Sequence, residues 1–288
     1  MRLGAGVVLG RCVGEAPDAD AATPGLGDGS VSVRAGWQAA AIATSRATPT
    51  ALVPMTKAYT SAPPAGSARL ADVREEAIRI ADRLEATLRI PDSAPTAIVV
   101  IAHPLPTHGG TMRNPVVAAI ARACAERGWY ALRFNFRGVG ASAGEWSGGA
   151  EEWHDVGHAV EHARGLAPGK PLGVSGYSFG ALMTLKWLAS GGRADAVALV
   201  GVALRSVSLG GRGPRLASEA SVPLDLPPIP DGTFIVSAEQ DQFGNAAEVR
   251  ETLPRARIAE VEGVDHYFVG KRDEVGRLVA DELARTLG

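Results

Sequence analysis

Cysteine is nearly absent from this sequence, which contains only Cys12 and Cys124. Both are predicted to be free thiols, and free thiols are typical of a reducing compartment. Cys124 lies in the middle of a predicted helix, where a small buried side chain is expected rather than a nucleophile. We therefore expect a cytoplasmic protein whose chemistry does not depend on cysteine.

Long hydrophobic runs and an excess of one charge are also missing. No uninterrupted apolar run approaches the roughly 18 residues that a membrane span needs. The apolar run at residues 7–9 is too short for a signal peptide and is soon followed by Arg11. A formal net charge of −2 gives no reason to expect a polyanionic partner. We therefore expect a small-molecule substrate and neither a nucleic-acid nor a membrane partner, while the oligomeric state is not indicated.

Large apolar residues are scarce in residues 1–71, which are rich in Ala, Gly, Ser, Thr and Pro. The segment keeps neither the strand period nor the helix period, so it cannot bury enough surface to offset its ordering entropy. We predict a disordered N-terminal extension. The alternative is that the true start lies later, for example at Met55. Residues 72–288 are predicted to form the folded domain.

The folded domain is predicted to open with an antiparallel hairpin. Apolar residues alternate through residues 76–81 and 84–90, on either side of a polar break at Asp82 and Arg83. A helix is an alternative, because Ala, Glu and Arg are abundant in this stretch. The sustained alternation favours the strands.

After Pro95 the predicted strands and helices alternate. Residues 97–102 form a continuous apolar run, which is typical of a strand covered on both faces. Repeated strand–helix units predict an α/β fold with a doubly wound, mostly parallel sheet. Functional side chains are then expected beyond the C-terminal ends of the strands. Further strands are predicted at 130–136, 171–174, 196–203, 233–237 and 258–261, and helices at 116–127, 151–164, 180–189 and 273–287.

Ser178 is the centre of a G-x-S-x-G segment that lies between a predicted strand and a predicted helix. A sharp turn there would project the hydroxyl into a cleft, and Gly176 and Gly180 would leave room for the backbone to pass close to itself. Backbone N–H groups at the start of the helix can stabilise an anion beside the serine. A second match at residues 140–144 contains Ser142, but no helix follows it, so a flexible loop is predicted.

A serine hydroxyl needs a general base, and the base needs a carboxylate that orients it. In this architecture the three follow in the order serine, acid, histidine, each just after a strand. Asp241 and His266 fulfil that order and are predicted to be the carboxylate and the base. Glu239 is a rival acid because it lies closer to the end of its strand. Asp265 adjoins His266 in sequence, and sequence neighbours rarely form this geometry.

Two backbone N–H groups are candidates for stabilising an oxyanion. One belongs to Phe179, directly after the serine, and the other is expected in the loop after the first central strand. Leu105 is the candidate in that loop because the prolines on either side of it have no N–H. His103 is expected to shape the loop through hydrogen bonds, with a direct role in the chemistry as the alternative.

A metal site is one interpretation of His154, His158 and His162, which recur every fourth residue on one face of a predicted helix. Two such histidines can bind Zn²⁺. The opposite face is apolar and is expected to be the buried one, and no H-E-x-x-H segment is present. We therefore predict solvated histidines and no metal.

Three blocks of sequence carry a family resemblance: HPLPTHGGTMRN at residues 103–114, LRFNFRGVGAS at 132–142 and GYSFG at 176–180. In this order they resemble the α/β-hydrolase superfamily, and within it the small bacterial hydrolases related to dienelactone hydrolases. The resemblance covers residues 72–288 and implies an eight-stranded, mostly parallel sheet and a serine hydrolase. The second histidine of that group's His-Pro-His-Pro-type loop is replaced here by Leu105-Pro106, and His108 lies further on.

We therefore predict a carboxylesterase-like hydrolase that uses Ser178, His266 and Asp241, forms an acyl-enzyme and needs no cofactor. A peptidase, thioesterase, lactonase or acyltransferase on the same residues is an alternative. A catalytically silent binding protein with the same fold is another.

The surroundings of the site are predicted to be open. The interval 204–231, where related folds insert a lid, is short and rich in Gly and Pro. Trp146, Phe243 and Tyr267 are candidate residues for the walls of the pocket.

Overall fold

The computed structural model describes residues 74–206 and 222–288. Our predictions for residues 1–71 and for Cys12 lie outside the described residues. Among the described residues, no helix is both long and apolar enough to pass through a bilayer.

An eight-stranded sheet forms the centre of the described residues, in the strand order β1-β2-β4-β3-β5-β6-β9-β10. Strand β2 pairs antiparallel with both β1 and β4, and every other neighbouring pair is parallel. The predicted doubly wound, mostly parallel sheet with an antiparallel N-terminal pair is confirmed. The strands of this sheet are β1 (Arg74–Ile80), β2 (Leu84–Ile90), β3 (Ile98–Ala102), β4 (Tyr130–Phe134), β5 (Leu172–Tyr177), β6 (Ala196–Val200), β9 (Phe234–Ala238) and β10 (Arg257–Val261).

The hairpin of β1 and β2 is formed by strands, and the helix considered as an alternative is wrong. Ala81 and Asp82 have positive φ angles of 49° and 54° at the turn between the strands. Two such residues in succession match the right-handed twist of the flanking strands. Ile80, Leu84, Ala86 and Leu88 are buried, so the alternation in the sequence reflects one face of the hairpin on the core.

In the described residues, five α-helices cover the two faces of the sheet. Helices α1 (Pro115–Glu126) and α5 (Arg272–Leu287) pack on one face. Helices α2 (Glu152–Leu166), α3 (Phe179–Ala189) and α4 (Ala246–Thr252) pack on the other. Such two-sided cover explains why the central strands are continuous apolar runs.

Helix α4 was not predicted from the sequence. It is only 7 residues long, so it offers little helical periodicity. Its one clear signal is a capping box, in which the Asn245 side chain accepts from the Glu248 N–H and the Glu248 carboxylate accepts from the Asn245 N–H.

The described part of the interval between β6 and β9 contains only two short strands. These are β7 (Arg205–Ser206) and β8 (Val222–Pro223), which pair antiparallel. Residues 207–221 of that interval lie outside the described residues.

Gly276 lets α5 approach α1 closely. A Cβ atom at this position would lie 2.6 Å from the carbonyl oxygen of Ala119 on α1. The helices therefore meet at a distance that no other residue permits without a shift.

We expect Gly276→Ala to lower the free energy of unfolding by about 1–3 kcal/mol, because the helices must separate. The matched control is Gly165→Ala on α2, where a Cβ atom meets nothing within 4 Å. That exposed substitution is expected to raise stability by about 0.5–1 kcal/mol. Urea unfolding of both variants measures the difference, and equal effects would contradict this account of the α1–α5 contact.

Candidate active site

Ser178 lies at a strained turn between the last residue of β5 and the first residue of α3. Its φ is 56° and its ψ is −115°, a combination that non-glycine residues rarely adopt. The turn requires two glycines for lack of space. A Cβ atom on Gly176 would lie 2.4 Å from the carbonyl oxygen of Gly180, and one on Gly180 would lie 2.4 Å from the carbonyl oxygen of Ala102.

Ser178, His266 and Asp241 are joined by two hydrogen bonds. His266 Nε2 lies 2.9 Å from Ser178 Oγ, and His266 Nδ1 lies 2.6 Å from Asp241 Oδ2. A carboxylate only accepts, so Nδ1 carries the proton and Nε2 accepts the serine hydroxyl. The second carboxylate oxygen accepts the backbone N–H of Phe243 at 2.9 Å. Asp241 and His266 are buried beyond the C-terminal ends of β9 and β10.

The two rival acids are engaged elsewhere. Glu239 Oε2 accepts the backbone N–H of Gly263 at 2.8 Å, which ties the two loops after β9 and β10 together. Asp265 is exposed, and its Oδ1 accepts the N–H of Tyr267. Of the three acids considered from the sequence, Asp241 is therefore the one in contact with the imidazole.

The imidazole of His266 is held by its neighbours. Its ring centroid lies 4.6 Å from that of Phe243 and 5.3 Å from that of Tyr177. Gly201 leaves room for it, since a Cβ atom there would lie 3.1 Å from the ring. The buried Tyr177 hydroxyl donates to the main-chain carbonyl of His266 at 2.7 Å. The residue before the serine thus fixes the loop that carries the histidine.

Both predicted oxyanion donors belong to segments that meet at the elbow. Phe179 is the first residue of α3. Leu105 precedes a short 3-10 helix, Pro106–His108, and its carbonyl accepts from the N–H groups of His108 and Gly110. The tight contact of Gly180 with Ala102 brings the start of α3 against the end of β3, from which this loop departs.

His103 is fully buried and neutral, and its contacts are structural. Its Nε2 accepts the backbone N–H of Phe136 at 3.1 Å, so Nδ1 carries the proton and donates to the Pro104 carbonyl at 2.7 Å. Burial lowers the pKa of His103 to about 4. This imidazole joins the loop after β3 to the chain after β4, as expected from the sequence. His108 is exposed.

The second G-x-S-x-G segment forms no elbow and is a loop, as predicted, and hydrogen bonds hold this loop to neighbouring segments. The buried Ser142 hydroxyl donates to the Asn135 carbonyl at 2.7 Å and accepts the Glu85 N–H at 2.9 Å. The Glu85 carboxylate in turn accepts the N–H of Ala141 at 2.8 Å. The serine therefore anchors the chain after β4 to the start of β2.

The three histidines of α2 do not assemble into a metal site. The side chains of His154 and His158 are about 44% and 42% exposed, and each lies near a carboxylate of its own helix turn. Within residues 74–206 and 222–288, no group of three or more His, Cys, Asp or Glu side chains could hold a metal ion. Cys124 is buried, and burial raises the pKa of its thiol to about 12, so it is an unreactive core residue.

The chain is similar to a family model and to several known proteins. Residues 93–220 match a family model described as serine aminopeptidase, S33. An uncharacterized protein of Rickettsia prowazekii is 26% identical over 201 residues, which is 66% of this chain and 79% of that protein. The structure of an α/β serine hydrolase homologue from Coxiella burnetii has a TM-score of 0.58 and 26% identity, and the match covers 73% of this chain and 97% of that one.

A third similar protein is a member of the α/β serine hydrolases from Xanthomonas campestris that is described as having no lid. It has a TM-score of 0.60 and 24% identity, and the match covers 74% of this chain and 95% of that one. The chain belongs to the α/β-hydrolase superfamily. The closer likeness to dienelactone hydrolases stays a prediction.

Tyr177 is the residue near the site that sequence reasoning missed. The position before the serine in G-x-S-x-G is unrestricted, so the pattern carries no signal for it. Its partner lies 89 residues further along the chain. Only the folded structure relates the two.

We expect Tyr177→Phe to slow the labelling of Ser178 by a fluorophosphonate probe about ten-fold, because a buried carbonyl loses its donor and the His266 loop shifts. The matched control is Tyr130→Phe, at the start of β4. That variant should be labelled at the wild-type rate. Equal rates for the wild type and Tyr177→Phe would show that the hydroxyl does not position the histidine.

The buried His103 makes stability depend on pH. The unfolded chain protonates this imidazole near its ordinary pKa of 6.5, whereas the folded protein does so only near 4. The contribution of the neutral His103 to the free energy of unfolding is therefore complete above the pKa of the unfolded state. It is lost as the pH falls toward the pKa of the folded state, by up to about 3 kcal/mol for a shift of this size.

We expect His103→Gln to remove that part of the pH dependence. Urea unfolding at several pH values between the folded and unfolded pKa of His103 measures the effect. The exposed His108→Gln is the matched control. A slope that stays unchanged in His103→Gln would assign the pH dependence to other groups.

Proposed function

We propose that this protein is a serine hydrolase that cleaves carboxylic esters through an acyl-enzyme on Ser178. The observation that carries the proposal is the continuous hydrogen-bonded sequence from Asp241 through His266 to Ser178, with the serine on a strained turn. Nucleophile, base and orienting carboxylate are the three parts that acyl transfer to a serine needs.

In the first half of the reaction, Ser178 Oγ attacks the ester carbonyl while His266 Nε2 takes its proton. The new oxyanion is stabilised by the backbone N–H groups of Phe179 and Leu105. Asp241 keeps the imidazole in the required tautomer and stabilises the imidazolium that forms. The imidazolium then donates its proton to the departing alkoxide, so an alcohol leaves and the acyl group stays on Ser178.

In the second half, a water molecule replaces the alcohol. His266 removes a proton from the water as it attacks the acyl carbonyl, and the same two N–H groups receive the charge. Collapse of this intermediate returns the proton to Ser178 and releases a carboxylic acid. Every step uses side chains and backbone groups of this chain together with water.

A serine aminopeptidase is the second candidate function. It is favoured by the match of residues 93–220 to the family model of that name. The same three residues would cleave an amide, with an amine as the leaving group. Aminoacyl p-nitroanilides distinguish the two functions when they are compared with p-nitrophenyl esters of simple carboxylic acids.

We expect Ser178→Ala to abolish both hydrolysis of p-nitrophenyl esters and labelling by a fluorophosphonate. The matched control is Ser142→Ala, the serine of the other G-x-S-x-G segment, which should keep both activities in its folded fraction. Ester hydrolysis that survives in Ser178→Ala would overturn the proposal.

The choice of acid has its own test. Asp241→Asn should lower kcat by about a thousand-fold or more, because an amide no longer holds the required tautomer. Glu239→Gln, the matched variant of the rival acid, should change kcat by less than about three-fold. The reverse ranking of the two variants would assign the role to Glu239.

A further inference from the structure

The chain between β4 and α2 contains a segment that is held rigidly at both ends. We call residues 137–149 the clamped loop. At its start, the fully buried Asp155 accepts three hydrogen bonds from Arg137: from the backbone N–H at 2.9 Å, from Nε at 3.0 Å and from Nη2 at 2.9 Å. A bidentate pair with a buried carboxylate fixes the orientation of both groups.

The end of the clamped loop is held by a second buried carboxylate. Glu152, which is 0% exposed, accepts the Ser147 N–H at 2.7 Å, the Ser147 hydroxyl at 2.6 Å and the Gly149 N–H at 2.8 Å. Lys186 of α3 donates to the Gly149 carbonyl at 2.6 Å. Burying a carboxylate is costly unless its oxygens are fully hydrogen-bonded, so the loop must keep this conformation to satisfy Glu152.

Trp146 is the large apolar side chain of the clamped loop. It directly precedes Ser147, and its backbone passes close to Gly138. A Cβ atom on Gly138 would lie 2.8 Å from the backbone nitrogen of Trp146. The half-buried indole packs on Phe179, with the ring centroids 5.0 Å apart. Phe179 follows the nucleophile directly and supplies a proposed oxyanion donor. The indole therefore lies beside the elbow, and hydrogen bonds at both ends hold the loop that carries it.

We propose that Trp146, held in place by Glu152, is the wall that limits the size of the acyl group. The inference rests on the proposed function of Ser178. A mobile lid can open for a long chain, whereas a wall fixed by buried carboxylates cannot. The substrates assigned to this site are thus esters of short carboxylic acids. The acyl group lies between the Trp146 indole and the partly buried Leu105 of the loop after β3.

The test compares p-nitrophenyl acetate with p-nitrophenyl octanoate as the ratio of their kcat/KM values. The wild type is expected to prefer the acetate by at least about ten-fold, which is the usual size of discrimination by a fixed apolar wall. Trp146→Ala should move the ratio toward the octanoate by about ten-fold or more. Trp146→Phe, which keeps an aromatic wall, should restore most of the wild-type preference.

The matched control is Trp153→Ala, because Trp153 is also half-buried but stacks on His154 of α2. It should leave the ratio unchanged. An unchanged ratio in Trp146→Ala would overturn the proposal, and so would a wild type that prefers the octanoate.

The role of Glu152 in holding the clamped loop is tested separately. Glu152→Gln presents an amide NH₂ to the N–H groups of the loop, so one end of the loop is released while the volume is kept. We expect this variant to shift the ratio in the same direction as Trp146→Ala. Glu161→Gln, an exposed position on the same helix, should not shift it.

Labelling of Ser178 by a fluorophosphonate is measured in every variant. Retained labelling with an altered ratio supports the wall, because the reacting residues are then intact. If Ser178→Ala keeps its esterase activity, the proposed function fails. If Ser178→Ala is inactive but the ratio does not respond to Trp146→Ala, only the inference about the wall fails.

Discussion

The site depends on one close contact between backbone segments, where Gly180 at the start of α3 lies against the end of β3. The contact lies two residues after the strained turn at Ser178 and brings the loop after β3 beside the first residue of α3. A hydrogen bond to the neighbouring strand also holds the turn, since the Ser178 N–H donates to the Val200 carbonyl of β6 at 2.9 Å. Strain of this kind persists only where the surrounding structure over-determines it.

Three carboxylates of the described residues are buried, and each is satisfied in a different way. Asp241 faces an imidazole, Asp155 faces a guanidinium, and Glu152 receives only neutral donors. Removing one partner from such a group leaves a buried charge without compensation, which is far more costly than losing an exposed ion pair. The loops that carry Phe243, Arg137 and Ser147 are therefore held at the site by the need to solvate these charges.

The order of residues along the chain predicted much of the fold and selected the candidate residues of the site. The alternation of apolar residues around Asp82 predicted the hairpin, and the position of Asp241 and His266 after successive strands selected the two residues that the structure joins to Ser178. Contacts between distant segments were not predictable in this way. The hydrogen bonds of Ser142 have no signal in the sequence, because its donor, the Glu85 N–H, lies 57 residues earlier. Helix α4 was missed because a short helix stabilised by a capping box has too little periodicity to detect.

Ser178 occupies the N-cap position of α3 but makes no side-chain cap to that helix. Serine is one of the preferred residues there because its oxygen normally accepts an N–H of the first turn. Here the hydroxyl is turned toward His266 instead, at the expense of helix stability. In the proposed reaction, the negatively charged oxygen of the intermediate bonds to the Phe179 N–H at the start of the same helix. The start of α3 thereby serves the proposed reaction rather than a side-chain cap.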